Sequence, residues 1–439
     1  MSVPPPARPV RSAPRPSGAA SWLVVALCAL VVIAEGYDLI VFGALLPKLL
    51  VEPGWGLTSA SAGALGSLVY LGMLVGALAG GPVCDRIGRR WFVNVAVAWF
   101  TGWTTVCALA QAPWQLGVGR LLAGLGMGAV IPASVALARE YTPAHRGAWT
   151  VTILMAGIPV GGMAASLLGL AVLPAHGWRA MFGIGGLISV LILAASLTWL
   201  PESEVYRSAA AGTGAGTGAD TAGPARGGRF AELFRRRRRL LSALFALSSF
   251  ANLLTWYGLN TWLTTLMREL GYPLRSALQF ALTLNTGAVA GSFLLAALAA
   301  RWGNRRVAVL CALLASAGTL ACAIGSGRLL VLLAFIAVIG AGAQSALNLV
   351  LASVADSYPA RIRATALGWS NGMGRLGAVV APALGGAILA GGFGPRSVLL
   401  TFSLTAFAAA VLISVLVLLG RRDAVPDPAG SPLAVEVGP

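Results

Sequence analysis

Charged residues are scarce in this sequence. Aspartate, glutamate, lysine and arginine together make up 10% of its 439 residues, whereas an average soluble domain has about 25%. A chain of this length needs far more charge to cover a water-facing surface, so a soluble globular protein is excluded. Hydrophobic residues make up 57%, and we therefore expect most of the surface to face lipid.

Residues that bind metals or form disulfides are also few. The two histidines are too few for a zinc centre, and the five cysteines form no C-x-x-C pair and no disulfide framework. The sequence has no glycine-rich nucleotide-binding loop and no soluble output domain, which disfavours a membrane-bound enzyme or receptor. We expect no metal, no cofactor and no enzymatic activity.

Acidic residues are outnumbered by basic ones, 14 to 31, which gives a net charge of +17. In a soluble protein this excess would suggest a nucleic-acid partner, but here the basic residues lie between apolar runs. Most of them fall in the tails and in the loops on one side of the predicted membrane, and the positive-inside rule places that side in the cytoplasm. We expect an inner-membrane protein with both termini cytoplasmic, and no nucleic-acid partner.

Long apolar segments are what the sequence has in abundance. A spanning helix needs about 20 mostly apolar residues. The first segment, from Trp22 to Leu50, is too long for the core of a signal peptide and contains Glu35 and Asp38. The predicted spans are 21–47, 58–83, 91–111, 114–138, 148–172, 180–200, 240–264, 275–299, 306–325, 328–353, 364–390 and 397–419.

These twelve spans predict an all-α membrane protein with two six-helix bundles, 21–200 and 240–419. Residues 1–20 are rich in proline, arginine and serine and are predicted to be a disordered cytoplasmic tail. Residues 201–239 are predicted to be a flexible cytoplasmic linker that ends in five arginines. Residues 420–439 are predicted to be a cytoplasmic C-terminal tail.

Three motifs of the first predicted bundle recur in the second, 215 to 217 residues later. The pairs are Asp85-Arg-Ile-Gly-Arg-Arg90 with Ala300-Arg-Trp-Gly-Asn-Arg-Arg306, Glu140-Tyr-Thr-Pro143 with Asp356-Ser-Tyr-Pro359, and Gly177-Trp-Arg179 with Gly394-Pro-Arg396. A nearly constant offset indicates two homologous halves. Duplicated bundles of this kind place their binding site near the middle of the membrane, between the repeats.

The strongest local motif follows span 2. Its sequence is Gly81-Pro-Val-Cys-Asp85-Arg86-Ile-Gly88-Arg89-Arg90. It resembles the loop 2–3 motif of the major facilitator superfamily, in which two glycines, an aspartate and a basic pair stand at fixed spacing. The resemblance implies that this loop latches the inner gate in one conformation; the alternative is a basic loop with no specific role.

Charges after spans 4 and 10 are expected to join the same gate, as an ion-pair network around Asp85. The alternative is that they are solvated loop charges. The predicted members are Glu140, Arg146, Asp356 and Arg361.

Other motifs resemble the aromatic acid:proton symporter branch of that superfamily. Span 1 contains Glu35-Gly36-Tyr37-Asp38, where the branch usually has aspartate at the first position. Span 7 contains Tyr257-Gly258-Leu259-Asn260-Thr261-Trp262-Leu263, and span 11 contains Gly372-Met-Gly374-Arg375-Leu-Gly377. The resemblance covers nearly the whole chain outside the tails and the central loop, and it implies a twelve-helix symporter of aromatic acids.

Carboxylates inside a span are costly and are therefore candidates for function. Glu35 and Asp38 are three residues apart and share one face of span 1. Arg120 in span 4 is permanently charged and needs an anionic partner, for which Asp38 is the nearest candidate. A carboxyl group in a medium of low dielectric constant can exchange a proton near neutral pH, so these three residues are predicted to couple transport to protons. The alternative is a static buried ion pair.

Arg375 is the one charged residue in span 11, and a guanidinium binds a carboxylate through two parallel hydrogen bonds. We predict that it binds the substrate, although an arginine bonded to backbone carbonyls is the alternative. For the other candidates, ordinary packing or helix–helix hydrogen bonding is an equally good interpretation. These candidates are Asn371, Tyr257, Asn260, Trp262, Gln344, Asn348 and Trp369.

The resemblance and the residues together predict proton-driven import of a small organic anion, most simply an aromatic carboxylate, by a monomer in the lipid bilayer. Proton-coupled export is the alternative. It rests on Gly157-Ile-Pro159-Val-Gly161-Gly162 in span 5, which is faintly similar to a patch found in proton-coupled drug exporters.

Overall fold

The computed structural model describes residues 18–143, 146–203, 226–235, 238–325 and 328–422, and every regular element in these ranges is a helix. The helices are α1 (Gly18–Leu49), α2 (Ser59–Ile87), α3 (Arg89–Ala108), α4 (Pro113–Glu140), α5 (Gly147–Trp199), α6 (Arg226–Leu233), α7 (Arg239–Glu269), α8 (Leu274–Trp302), α9 (Asn304–Ile324), α10 (Leu329–Ser357), α11 (Ala360–Ala390) and α12 (Gly394–Arg422).

The helix α5 is two membrane spans joined at a kink. It has 53 residues, about 80 Å at 1.5 Å per residue, which is far longer than the roughly 30 Å of hydrocarbon in a bilayer. Gly177 has φ 72 and ψ −176, a conformation that ends one limb and starts the next. With α5 counted as two limbs, the long apolar helices give twelve spans, and the predicted all-α fold is confirmed.

Large apolar side chains are exposed along the spans. Leu78 of α2 and Leu330 of α10 are 74% and 79% exposed, whereas Asp38 and Arg120 are almost completely enclosed. In water this arrangement would be unstable, but in lipid an apolar surface needs no polar covering. The burial pattern therefore agrees with a chain whose outer surface contacts acyl chains.

The described residues group into two compact units, Met1–Val41 with Gly72–Ala219, and Phe42–Leu71 with Asp220–Pro439, as far as these ranges are described. The end of α1 and the start of α2 thus belong to the second unit, whereas the sequence analysis placed all of 21–200 in one bundle. Close contacts explain this grouping. Ser67 Oγ of α2 accepts a hydrogen bond from the backbone nitrogen of Ala383 of α11 at 3.2 Å.

The same helix pairing occurs in both units. Gly76 of α2 packs on Leu125 of α4 in the first unit, and Gly291 of α8 packs on Ala341 of α10 in the second. The offsets between these positions are those of the sequence repeat, and a residue without a side chain lets two helices approach closely. The packing therefore repeats together with the sequence.

The segments predicted to be tails and linker are only partly described. Residues 1–17, 204–225 and 423–439 lie outside the described ranges. Where the structure describes the predicted linker, it contains the helix α6, which the sequence analysis did not expect. The glycine- and alanine-rich composition of the stretch before α6 concealed its eight helical residues.

We expect Gly161→Val to destabilise the first unit strongly. A side chain at 161 would meet the backbone of Ile33 and Tyr37 in α1, which cannot move aside as a flexible side chain could. Overpacking of this kind costs about 3 kcal/mol. Thermal unfolding in detergent micelles measures the effect. The matched control is Gly183→Ala, because no heavy atom in the described part of the chain lies within 4 Å of the added carbon; equal melting temperatures for the two variants would contradict the tight α1–α5 contact.

Candidate functional site

An ion pair is buried inside the first unit. Asp38 of α1 and Arg120 of α4 are 3% and 1% exposed. Nη1 of Arg120 donates to Oδ2 of Asp38 at 2.9 Å and to the backbone oxygen of Asp38 at 2.7 Å. The structure thus brings together the two residues that the sequence analysis paired.

Thr104 of α3 completes this cluster. Its hydroxyl donates to Oδ1 of Asp38 at 2.9 Å, so each carboxylate oxygen of Asp38 accepts one hydrogen bond. Thr104 is also enclosed, at 1% exposure. Thr104 was not among the predicted residues, because a single threonine in an apolar span has no pattern that separates it from ordinary packing.

Glu35 lies one turn before Asp38 on α1 and is fully buried. Both limbs of α5 hold this stretch of α1 in place. The backbone of Gly36 packs against Ile158 of the first limb, and the hydroxyl of Tyr37 donates to the backbone oxygen of Met181 of the second limb at 2.8 Å. The two carboxyl groups therefore sit on a rigidly supported segment.

This arrangement can hold either a salt bridge or a proton at Asp38. An ionised Asp38 is compensated by Arg120, and a protonated one no longer attracts the guanidinium electrostatically. The hydrogen bond from Arg120 to the backbone oxygen of Asp38, at 2.7 Å, does not involve the carboxyl group. The described residues contain no group of three or more histidine, cysteine, aspartate or glutamate side chains that could hold a metal ion.

The second unit contains a pair of buried amides. Nδ2 of Asn285 on α8 donates to Oδ1 of Asn260 on α7 at 3.3 Å, and both side chains are buried. Oδ1 of Asn285 has no hydrogen-bond partner among the described residues. Sequence reasoning found Asn260 but missed Asn285. One turn before Asn260, the ring of Tyr257 lies 4.6 Å from the ring of Tyr70.

Further polar candidates lie on α10 and α11. Nε2 of Gln344 donates to Oδ1 of Asn348 at 3.4 Å, so these two predicted residues bond to each other along α10. Oε1 of Gln344 is buried without a hydrogen-bond partner in the described part of the chain. Asn371 and Arg375 are one turn apart on α11, and both are half-buried.

Two tryptophans predicted to contact a substrate have other roles in the structure. Trp262 is fully buried, and its Nε1 donates to the backbone oxygen of Pro382 at 2.9 Å, which joins α7 to α11. Trp369 packs edge to face against Phe230 and Phe234 near α6, with ring centroids 5.7 and 5.2 Å away. The sequence of a span does not show which side of the helix packs on a neighbouring helix, so the contacts of its aromatic residues cannot be predicted from it.

The loop between α2 and α3 is held by two glutamates of the first unit. Arg89 forms an ion pair with Glu140 of α4. Oε1 of Glu202 accepts from the backbone nitrogen of Arg90 at 3.1 Å, which places a carboxylate at the N-terminus of α3, where the helix dipole favours it. Arg90 also donates to the backbone oxygen of Leu197 at 2.7 Å. The sequence analysis missed Glu202, whose only clue was its position directly after span 6.

The second unit repeats this pattern with different residues. Asn304 stands 215 residues after Arg89 and donates to Oδ2 of Asp356 at 2.8 Å. Arg305, the counterpart of Arg90, donates to the backbone oxygen of Leu416 at 3.0 Å. The similar loop motifs thus make similar contacts in the two units.

The network of loop charges predicted around Asp85 stays a prediction, and two of its members contact residues outside the predicted set. Arg361 pairs with Glu232 of α6 at 2.5 Å, and Asp356 pairs with Asn304. Arg146 is exposed. The side chains at 81 and 85 lie outside the described part, and Arg86, which is exposed, follows them. Each of these loop charges contacts the partner that is nearest to it in the fold, and the sequence does not specify that partner.

Twelve apolar spans in two units, with ionic groups enclosed among them, define a multi-pass membrane transporter. The chain belongs to the Major Facilitator Superfamily, whose family model matches residues 28–290 and 276–436. Its members are transporters and not enzymes.

Named relatives are similar over almost the whole chain. The gentisate transporter of Corynebacterium glutamicum is 37% identical over 406 residues, which is 90% of this chain and 87% of that protein. The gallate transporter of Pseudomonas putida is 33% identical and covers 91% of this chain and 92% of its own. The crystal structure of a D-xylose-proton symporter superposes with a TM-score of 0.70, covering 89% of this chain and 97% of that one. At 17% sequence identity this likeness concerns the fold alone.

Proposed function

We propose that this protein is a proton-coupled symporter that imports a small aromatic carboxylate across the cytoplasmic membrane by alternating access. The observation that carries the proposal is the buried cluster of Asp38, Arg120 and Thr104. A carboxylate inside a membrane span is energetically costly and is therefore a candidate for a functional role. The role proposed for Asp38 is reversible protonation.

The proton acts by switching the ion pair. With Asp38 ionised, Arg120 and Thr104 hold both carboxylate oxygens. A proton on Asp38 removes the charge that binds Arg120, which changes the relative free energies of the carrier's conformations. Binding and release of the proton on opposite sides of the membrane then drive the cycle in one direction.

The substrate class rests on the relatives and on the polar groups of the second unit. Transporters named for gentisate and gallate, two hydroxylated aromatic acids, are 37% and 33% identical to this chain. We assign the carboxylate to Arg375, which can form two parallel hydrogen bonds. Ring hydroxyl groups would be bound by Asn260, Asn285 and Gln344, two of which have an unused buried acceptor in the described structure.

Import is favoured over export. The glycine patch that suggested an exporter is explained by packing, since Gly157 lies against Val32 and Gly161 against the backbone of Ile33. The proposal also puts both termini in the cytoplasm, because the basic residues are concentrated in one set of predicted loops.

Uptake into proteoliposomes tests this function. Radiolabelled benzoate, gentisate and gallate are offered outside, with the interior about one pH unit more alkaline. We expect at least one acid to accumulate above its external concentration, and collapse of the pH gradient with a protonophore to abolish the accumulation. Citrate serves as the non-aromatic control anion. Accumulation only with an acidic interior would indicate export, and no response to either gradient would contradict proton coupling.

A further inference from the structure

The short helix α6 stands next to the most basic segment of the chain. Five consecutive arginines, Arg235–Arg239, follow it, and the last of them is the first residue of the span α7. A stretch of five residues extends at most about 18 Å. Arg235 and Arg239, the two ends of this run, therefore lie close to the membrane surface, whichever side of the membrane they face.

Contacts within the second unit fix α6 at this position. Glu232 of α6 is 7% exposed, and its Oε1 accepts from Arg238 at 2.6 Å and from Arg361 at 2.5 Å. The hydroxyl of Ser242 on α7 donates to the backbone oxygen of Leu233 at 2.9 Å. The helix is thereby attached to the starts of α7 and α11, where these spans enter the membrane.

Two aromatic residues at the end of α6 are exposed. Phe230 and Phe234 are four residues apart and pack against the edge of Trp369, yet they remain 45% and 40% exposed. Arg235 and Arg239, beside them in the chain, are exposed as well. Aromatic rings combined with basic residues are typical of helices that lie at the boundary between headgroups and acyl chains.

We propose that α6, with Phe234, Arg235 and Arg239 beside it, forms a docking surface for the headgroups of anionic phospholipids. Charge complementarity selects the occupant, because the carboxylate of Glu232 is buried and already engaged by Arg238 and Arg361. The exposed guanidinium groups of Arg235 and Arg239 remain for a lipid phosphate, which guanidinium binds through paired hydrogen bonds. The rings of Phe230 and Phe234 would contact the adjoining acyl chains.

Lipid titration tests the proposal independently of transport. Short-chain phosphatidylglycerol is added to the detergent-solubilised full chain, and bound lipid is counted by native mass spectrometry. Phosphatidylcholine of the same chain length measures binding through acyl chains alone. An arginine near a membrane surface contributes about fivefold in affinity for anionic lipid, so R235Q/R239Q should weaken phosphatidylglycerol binding about 25-fold and leave phosphatidylcholine binding unchanged.

Matched variants separate this surface from general loss of charge. R301Q/R306Q removes two exposed arginines that flank the start of α9 and should bind phosphatidylglycerol as the unmodified chain does. R235K/R239K keeps the charge but loses the paired hydrogen bonds, so its affinity should lie between that of the unmodified chain and that of R235Q/R239Q. If the double variant unfolds at a lower temperature, the single change Arg235→Gln provides a second test. It should lower the affinity for phosphatidylglycerol about fivefold. Three outcomes would each overturn the proposal. The first is an equal loss of phosphatidylglycerol affinity in R235Q/R239Q and R301Q/R306Q, and the second is an equal loss of affinity for the two lipids in R235Q/R239Q. The third is that the unmodified chain binds phosphatidylglycerol no better than phosphatidylcholine.

Discussion

Asp38→Asn is expected to abolish uphill accumulation of substrate while leaving exchange intact. An amide cannot carry a proton, so an imposed pH gradient no longer drives the cycle. Arg120 keeps its hydrogen bond to the backbone oxygen of residue 38, at 2.7 Å in the structure, so the local geometry should survive. With one pH unit across the membrane, worth about 1.4 kcal/mol per proton, we expect accumulation of about tenfold in the unmodified chain and none in the variant.

Two measurements in the same proteoliposomes make this prediction specific. Net uptake under a pH gradient reports coupling, and exchange of labelled for unlabelled substrate at equal pH reports reorientation of the loaded carrier. Glu52→Gln is the matched control, because it makes the same change from acid to amide at a half-buried position in the loop between α1 and α2. If Asp38→Asn still accumulates substrate, Asp38 is not the proton carrier, and Glu35→Gln becomes the variant to test.

The second large effect concerns stability. Arg120→Met should destabilise the first unit by about 3–5 kcal/mol, because it leaves the carboxylate of Asp38 buried without its cation. The double variant Asp38→Asn/Arg120→Met removes both charges and should recover at least about 2 kcal/mol of that loss. Unfolding in detergent micelles gives the change in free energy of unfolding for Asp38→Asn, for Arg120→Met and for the double variant.

A double-mutant cycle then separates a coupled ion pair from two independent residues. Strictly additive effects of Asp38→Asn and Arg120→Met would contradict the pair, whereas a double variant that is destabilised by clearly less than the sum of the two single effects supports it. The double variant should also fail to accumulate substrate despite its recovered stability. This combination distinguishes a role in coupling from a purely structural ion pair.

The spans and the repeat could be predicted because their physical basis is local. A membrane fixes the length of an apolar helix, so predicted span 306–325 and the helix α9 (Asn304–Ile324) differ by two residues at the start and one at the end. The pairing of Asp38 with Arg120 was predictable for a related reason. Charges within spans are so few that each has a small number of candidate partners.

Contacts made by common residues at the ends of the spans could not be predicted. Thr104, Glu202 and Glu232 each complete a cluster, but threonine and loop glutamates occur in many places without a partner. Trp369 was a substrate candidate with ordinary packing as the alternative, and in the structure it packs on Phe230 and Phe234. Which neighbour such a side chain meets depends on how the helices are arranged, and the apolar pattern carries that information only weakly.

The two halves, although homologous, have diverged in their chemistry. The position 216 residues after Arg120 is Ile336, and the corresponding position for Asp38 is Leu254, both of them buried. Thr104, by contrast, has Thr319 at an offset of 215. The repeat therefore kept the helix packing, whereas the ion pair is confined to the first half.

The burial of both Glu35 and Asp38 bears on how far a cell could concentrate the substrate. One proton carried with one monovalent anion is electrically neutral, and each pH unit then supports at most about a tenfold concentration ratio. A second proton, taken up by Glu35, would raise that limit to about a hundredfold. It would also make the cycle carry net charge, adding about 2.3 kcal/mol for each 100 mV of membrane potential. Under the proposed function, the number of carboxyl groups that titrate in this segment of α1 would set the lowest external substrate concentration from which net uptake is possible.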